Sequence, residues 1–154
     1  MKLLFVCIGN TCRSPMAESV MTYYIKKNGL TWETDSAGLR SWNIGRFPET
    51  RCQKVLAEHG LETEHVGREI TSEDFQHFDY IFGMDSLNIQ ELNELSAKYR
   101  PTENQAKIEL LGSYIGRKED EIIEDPYFSS GIGSFRTVYA QIDDSCRNFI
   151  AKHK

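Results

Sequence analysis

Cys7 and Arg13 stand six positions apart near the start of the chain, with Ile8, Gly9, Asn10, Thr11 and Cys12 between them and Ser14-Pro15 directly after. A thiolate is a nucleophile suited to phosphorus, and arginine's planar fork can hold two phosphate oxygens at once, which lysine cannot do. A free thiol titrates near 8.5, so only about 3% is ionised at pH 7 and a thiol nucleophile needs help from its surroundings. The help on offer is the Arg13 charge, the loop N–H groups, the Ser14 hydroxyl and a helix end worth at most ~2 kcal/mol. Phosphoryl transfer to sulfur also needs an acid to protonate the departing atom. Asp125 is the candidate, because Pro126 biases it toward extended geometry and lets its carboxyl project from a loop.

These groups need elements to hold them. Lys2 to Val6 is a short apolar run with the make-up of a fully buried strand. Met16, Ala17, Val20, Met21, Tyr24 and Ile25 then share one helical face, with Ser14 expected as N-cap and Pro15 as the first helical residue. The loop thus passes from a strand end onto a helix N-terminus, a site for an anion. Gly9 is expected to supply a positive φ, with Asn10 as the other residue that tolerates one. No Gly-Lys-Ser/Thr and no GxGxxG follows, which sets nucleotide binding aside.

The spacing further predicts a strand over Trp32–Ser36 ending in a turn at Ala37-Gly38, a loop over 39–47, and a helix over Pro48–His59 stopped by Gly60. Thr71 is read as the cap of a short helix through Gln76, and Tyr80–Phe82 as a buried strand. Asp85 is read as the cap of a helix to Ala97 that buries Leu87, Leu92 and Leu95. Ile108–Leu111 is a fourth strand, Arg117–Glu124 a solvated tract, and Phe135 to Phe149 a last helix at 3.6 spacing. Alternating strands and helices give an α/β class, with one parallel sheet flanked by helices on both faces. The first and third strands are apolar throughout and therefore central, so the order 2-1-3-4 is expected. Cys7 then falls at the switch point, beyond the carboxyl ends of the strands.

The 154 residues form one expected domain, 1–154, with 40% hydrophobic and 27% charged residues. A net charge of −5 argues against nucleic acid or an anionic membrane as partner, and no apolar run has membrane-spanning length. Cys7, Cys12, Cys52 and Cys146 lack CxxC spacing, and His59, His65, His77 and His153 are scattered, so neither a metal nor a cofactor is expected. A free-thiol nucleophile fits a reducing, cytoplasmic setting. Cys52 and Cys146 are expected in the core, and a monomer is expected.

The stretch Val6–Pro15, with Asp125-Pro126-Tyr127 far downstream, resembles the low-molecular-weight protein tyrosine phosphatases. Asp35-Ser36-Ala37, Phe78-Asp79-Tyr80-Ile81, Lys107 through Tyr114 and Ile122-Ile123-Glu124 resemble the same family. The resemblance implies a phosphocysteine on Cys7, with Arg13 and the loop amides holding the phosphoryl group. Asp125 would act as acid and then as base. It implies phosphorylated proteins or peptides as substrates and inorganic phosphate as product. It also implies that Asn10, Ser36 and His65 keep the loop in shape, and that Trp42, Tyr127 and Phe128 line the pocket mouth with Thr11 inside. A deep aromatic cleft accepts a phosphoaryl group and leaves phosphoserine short of Cys7. Cys12 matches the family's second loop cysteine and could trap oxidised Cys7 as a disulfide; a packing thiol is the other reading.

Thr11 departs from the aliphatic residue of many tyrosine-specific members and resembles the protein-arginine phosphatases of the superfamily. Phosphotyrosine is the first reading, and phosphoarginine, with Thr11 setting specificity, the alternative. Arsenate reductase shares the fold and loop, but it needs relay cysteines and residues 77–95 contain none. A catalytically silent phosphoprotein-binding module would have no use for an intact Cys7, Arg13 and Asp125.

Overall fold

The chain runs β1 (Lys2–Cys7), α1 (Arg13–Lys27), β2 (Glu33–Gly38), α2 (Thr50–Glu58), the single turn α3 (Asp74–His77), β3 (Tyr80–Gly83), α4 (Ser86–Tyr99), β4 (Lys107–Leu110) and α5 (Gly133–His153). Two 3₁₀ segments, Leu111–Ile115 and Lys118–Asp120, lie between β4 and α5. The structure, a computed structural model, describes residues 1–99 and 105–154. All strand pairs are parallel and the order is β2-β1-β3-β4, as the apolar content of the strands predicts.

β1 organises both halves of the core. Leu3, Phe5 and Cys7 pack on one side with Met16 and Val20 of α1 and with Phe135, Ile142 and Phe149 of α5. Leu4 and Val6 point to the other side, against Phe75 of α3 and Leu92 of α4. A strand buried on both faces cannot slip by one residue without exchanging these two sets, so the position of Cys7 at its end is fixed. Cys52 and Cys146 are core residues, as expected, with no exposed surface.

Several boundaries differ from the sequence reading. β2 continues through Ala37 and Gly38, which pair with Val6 and Cys7, in place of turning there. A Cβ on Gly38 would lie 3.0 Å from Arg40 O and 3.2 Å from Ile8 O, so the residue read as a turn former serves close packing beside the loop. β4 is shifted back by one residue, and α2 begins after Glu49, whose carboxylate accepts the Arg51 N–H at 2.8 Å. Thr71 does not cap α3; Asp74 instead accepts the Thr71 N–H at 2.8 Å. Leu87 is 75% exposed, because the buried face of α4 is Asn88, Leu92 and Ser96, which shares only Leu92 with the expected stripe; Leu95 is partly buried. In the tract read as solvated, Ile123 is fully buried and its N–H donates to Met84 O at 2.9 Å. The chain can return there because Gly112 has no side chain: a Cβ would fall 1.9 Å from the Glu121 carbonyl oxygen.

Candidate active site

Residues 8–12 carry the chain from β1 into α1, and no protein acceptor meets the N–H groups of Gly9, Asn10, Thr11 or Cys12 among the described residues. With Arg13 at the start of α1, Ile8, Gly9, Thr11 and Cys12 line one cleft with Cys7, and free N–H groups beside a helix start suit a tetrahedral oxyanion. Asn10 takes the left-handed turn, at φ 52°, whereas Gly9 has no positive φ. Gly9 is needed for space: a Cβ there would meet Asn43 Nδ2 at 3.1 Å, and that amide donates to Gly9 O at 2.8 Å. Ser14 is not the N-cap expected of it. α1 starts at Arg13, Cys12 stands at the cap position without a side-chain bond, and Pro15 is the third helical residue. A capping side chain would occupy the N–H groups that an anion requires.

The Ser14 hydroxyl is turned to the sulfur, with Oγ 2.9 Å from Cys7 Sγ. Asn10 Nδ2 donates to the same oxygen at 2.9 Å, which leaves the hydroxyl hydrogen free to turn to Cys7 and to bond a thiolate there. Asn10 Nδ2 also donates to Ser36 Oγ at 3.1 Å, and Ser36 Oγ donates to Glu18 at 2.7 Å. On its other side Asn10 Oδ1 accepts from His65 Nε2 at 2.7 Å and from the Arg68 N–H at 3.0 Å. The His65 side chain is 6% exposed and its Nδ1 lies 3.1 Å from Glu18. The three expected loop supports therefore meet in one network, and Glu18 and Arg68, which sequence reasoning missed, complete it. Glu18, Asp35 and His65 present ligand-type atoms within 4.8 Å of one another, although sequence shows the histidines as scattered.

Arg13 is 2% exposed and reaches under the loop. Its Nη1 donates to Asp85 at 2.6 Å and to Ile123 O at 2.8 Å, and Nη2 lies 3.8 Å from Asp125. Burial alone would lower the guanidinium's pKa, but Cys7, Asp85 and Asp125 outweigh it and hold it above the usual arginine range. Nη1 is thus committed to the protein, while Nη2 and Nε donate to no acceptor among the described residues and are left for an anion. Asp85 does cap α4, accepting the Asn88 N–H at 2.8 Å, and the second oxygen that fixes Arg13 was not foreseen. Its place beyond the carboxyl end of β3, beside β1, is the signal that could have found it.

A cleft of about 300 Å³ opens over Cys7, and it is lined by Thr11, Arg13 and Asp125, with Trp42, Asn43, Tyr127 and Phe128 at the mouth. Trp42 and Phe128 are 61% and 88% exposed, so they are walls and not core. Asp125 Oδ1 accepts the Tyr127 N–H at 3.1 Å, a turn that leaves Oδ2 toward the cleft and Arg13. All the site residues expected from sequence converge here or in the network below. Cys12 is buried, and burial, followed by the charge of Cys7, pushes its thiol far above the usual range.

The family profile described as low molecular weight phosphotyrosine protein phosphatase matches residues 2–154. Low molecular weight phosphotyrosine protein phosphatases of Homo sapiens and Sus scrofa are 44% and 43% identical over 152 residues, 97% of this chain and 94% of each relative. A solved structure described as Drosophila arginine phosphatase is 55% identical, with a TM-score of 0.95 over 100% of this chain and 98% of that one. With likeness of that extent in sequence and in shape, the chain belongs to the low molecular weight phosphotyrosine protein phosphatase family.

Proposed function

We propose that the protein removes phosphate from phosphorylated protein side chains through a phosphocysteine on Cys7, and that phosphoarginine is the substrate its pocket fits best. In the first step the Cys7 thiolate attacks phosphorus from below. Arg13 and the loop amides hold the three non-bridging oxygens as charge spreads over them. Asp125 gives its proton to the departing atom. In the second step the Asp125 carboxylate takes a proton from water as that water attacks the phosphocysteine. Inorganic phosphate leaves and the thiolate is restored. Asn10, Ser36 and His65 keep the loop shaped for both steps. Cys12 supplies the thiol that would condense with an oxidised Cys7 sulfenic acid, releasing water and forming a disulfide.

Thr11 carries the substrate reading. It lines the cleft beside Cys7 and Asp125, where its hydroxyl can accept from a guanidinium N–H, which an aliphatic residue cannot. The 55% identity to the structure described as an arginine phosphatase supports this reading. Phosphotyrosine is the second reading. It is favoured by the aromatic mouth at Trp42, Tyr127 and Phe128 and by the description of the curated relatives. The test compares kcat/KM for phosphoarginine and phosphotyrosine peptides in wild type and Thr11→Ile. An N–H left unpaired when the substrate fills the cleft costs about 1–3 kcal/mol, so Thr11→Ile is expected to lower phosphoarginine turnover by roughly 10–100-fold and to spare phosphotyrosine. Phosphotyrosine winning in both proteins would overturn the substrate assignment. Cys7→Ser should bind phosphopeptide without hydrolysing it, and full turnover by that variant would overturn the mechanism.

A further inference from the structure

Between Pro126 and α5 the segment that follows Asp125 forms neither a ladder nor a helix. Residues 126–132 run without regular structure into α5; Pro126 is buried and Ile132 packs on the core, but Tyr127 and Phe128 between them are exposed, so apolar packing does not anchor that wall. A side chain from α2 ties the segment to the body. Arg51 Nη2 donates to Tyr127 O at 2.9 Å, and Arg51 Nη1 donates to Ser129 O and Gly131 O at 2.7 and 3.0 Å. The same guanidinium lies over the Phe135 ring in the first turn of α5, its carbon 4.4 Å from the ring centre.

The other end of this bridge is fixed to the phosphate loop. Glu49 Oε2 accepts from Arg51 Nε at 2.8 Å, while Oε1 accepts the Arg51 N–H. The N–H of Glu49 donates to Thr11 O at 2.9 Å. A continuous chain of bonds therefore runs from Thr11 through Glu49 and Arg51 to the carbonyls of Tyr127, Ser129 and Gly131. Only a planar, many-donor fork can meet three carbonyls while also bonding a carboxylate; an ammonium is a single point.

We propose that Arg51 is a positioning residue for the phosphatase reaction: it sets the segment that bears Asp125, with its Tyr127–Phe128 wall, at a fixed height above the Cys7 loop. The inference rests on the reading of Asp125 as the acid. A misplaced acid slows the loss of a poor leaving group far more than the loss of one that departs unprotonated.

The experiment measures kcat/KM for aryl phosphates whose phenols run from nitrophenol-like to tyrosine-like acidity, in wild type, Arg51→Lys, Arg51→Ala and Asp125→Asn. Because kcat/KM reports the steps up to leaving-group departure, it isolates the acid step. Arg51→Ala should lose roughly 10–100-fold on the tyrosine-like phenol and on the order of threefold or less on the most acidic one, with Arg51→Lys between. In the Asp125→Asn background, Arg51→Ala should add no leaving-group dependence, because the group it places is gone. An equal loss along the whole series, or additive effects with Asp125→Asn, would overturn the proposal. Arg51→Lys stands in if Arg51→Ala fails to fold. In that variant amide hydrogen exchange should rise over residues 126–132 and stay unchanged in β1, and unchanged exchange over 126–132 would also overturn the proposal. If wild type hydrolyses neither these esters nor a phosphoarginine peptide, or Cys7→Ser hydrolyses them equally, the functional reading fails instead and exchange alone judges the clamp.

Discussion

Asn10 uses its whole hydrogen-bonding capacity in one buried position, with two donor bonds to Ser14 and Ser36 and two acceptor bonds from His65 and Arg68. It also holds φ 52°, which L-residues rarely adopt. Two variants separate these roles. Asn10→Gly keeps the backbone and loses the bonds, whereas Asn10→Ala loses both. Each buried partner left unpaired costs about 1–3 kcal/mol, and the backbone adds roughly 1–2 kcal/mol for alanine. Urea unfolding should therefore rank wild type above Asn10→Gly and Asn10→Gly above Asn10→Ala, with both variants slow because Ser14 is no longer held on the sulfur. Equal stability of the two variants would show that the backbone conformation is unstrained. At this scale the sequence was legible for Cys7, Arg13 and Asn10, whose types and spacing have few other uses. It misled for Ser14 and Gly9, since a helix-start serine and a loop glycine each have a common local role that the bonds to Cys7 and Asn43 displace.

At the scale of the element, α4 shows where periodicity gives out. Leucine spacing points to Leu87, Leu92 and Leu95, yet the helix is turned to bury Asn88, Leu92 and Ser96. The two polar positions are held by tertiary partners that a sequence does not display: Asn88 Oδ1 accepts the Met84 N–H at 3.1 Å, and Ser96 Oγ accepts from Gln105 at 2.6 Å. Leu92→Ala should therefore cost about 2–5 kcal/mol, as a cavity in a closed core does, and Leu87→Ala less than about 0.5 kcal/mol. Chemical denaturation checks both; comparable losses would restore the leucine stripe. β1 and α5 pose no such problem, because nearly every buried position in them is apolar. The same holds for sheet order, which followed from which strands were apolar throughout.

For the molecule as a whole, three buried thiols shape the response to alkali. Burial pushes Cys12, Cys52 and Cys146 well above the usual thiol range, and it pushes Tyr139 up to about 12. The folded state holds these protons more tightly than the unfolded chain, so the stabilisation is complete below about pH 8.5 and is lost as pH rises toward the folded values. Each thiol contributes a slope of about 1.4 kcal/mol per pH unit in that window. The urea midpoint should fall steeply between about pH 9 and 11, and less so in Cys146→Ala at matched starting stability. A flat profile would contradict the assignment. Meeting of distant parts is also what sequence carries least: nothing local in the chain places residue 125 over residue 7, and that expectation came from resemblance. The structure supplies the physical link in the Arg13 bond to Ile123 O, two residues before Asp125. Upstream of that link is Gly112, whose missing side chain lets the Glu121 backbone pass. Any heavier residue there must swing the returning chain outward and carry Asp125 with it. A survey of inactivating changes would then mark position 112 beside Cys7 itself, although glycine contributes no functional group: the site depends on an atom that is not there.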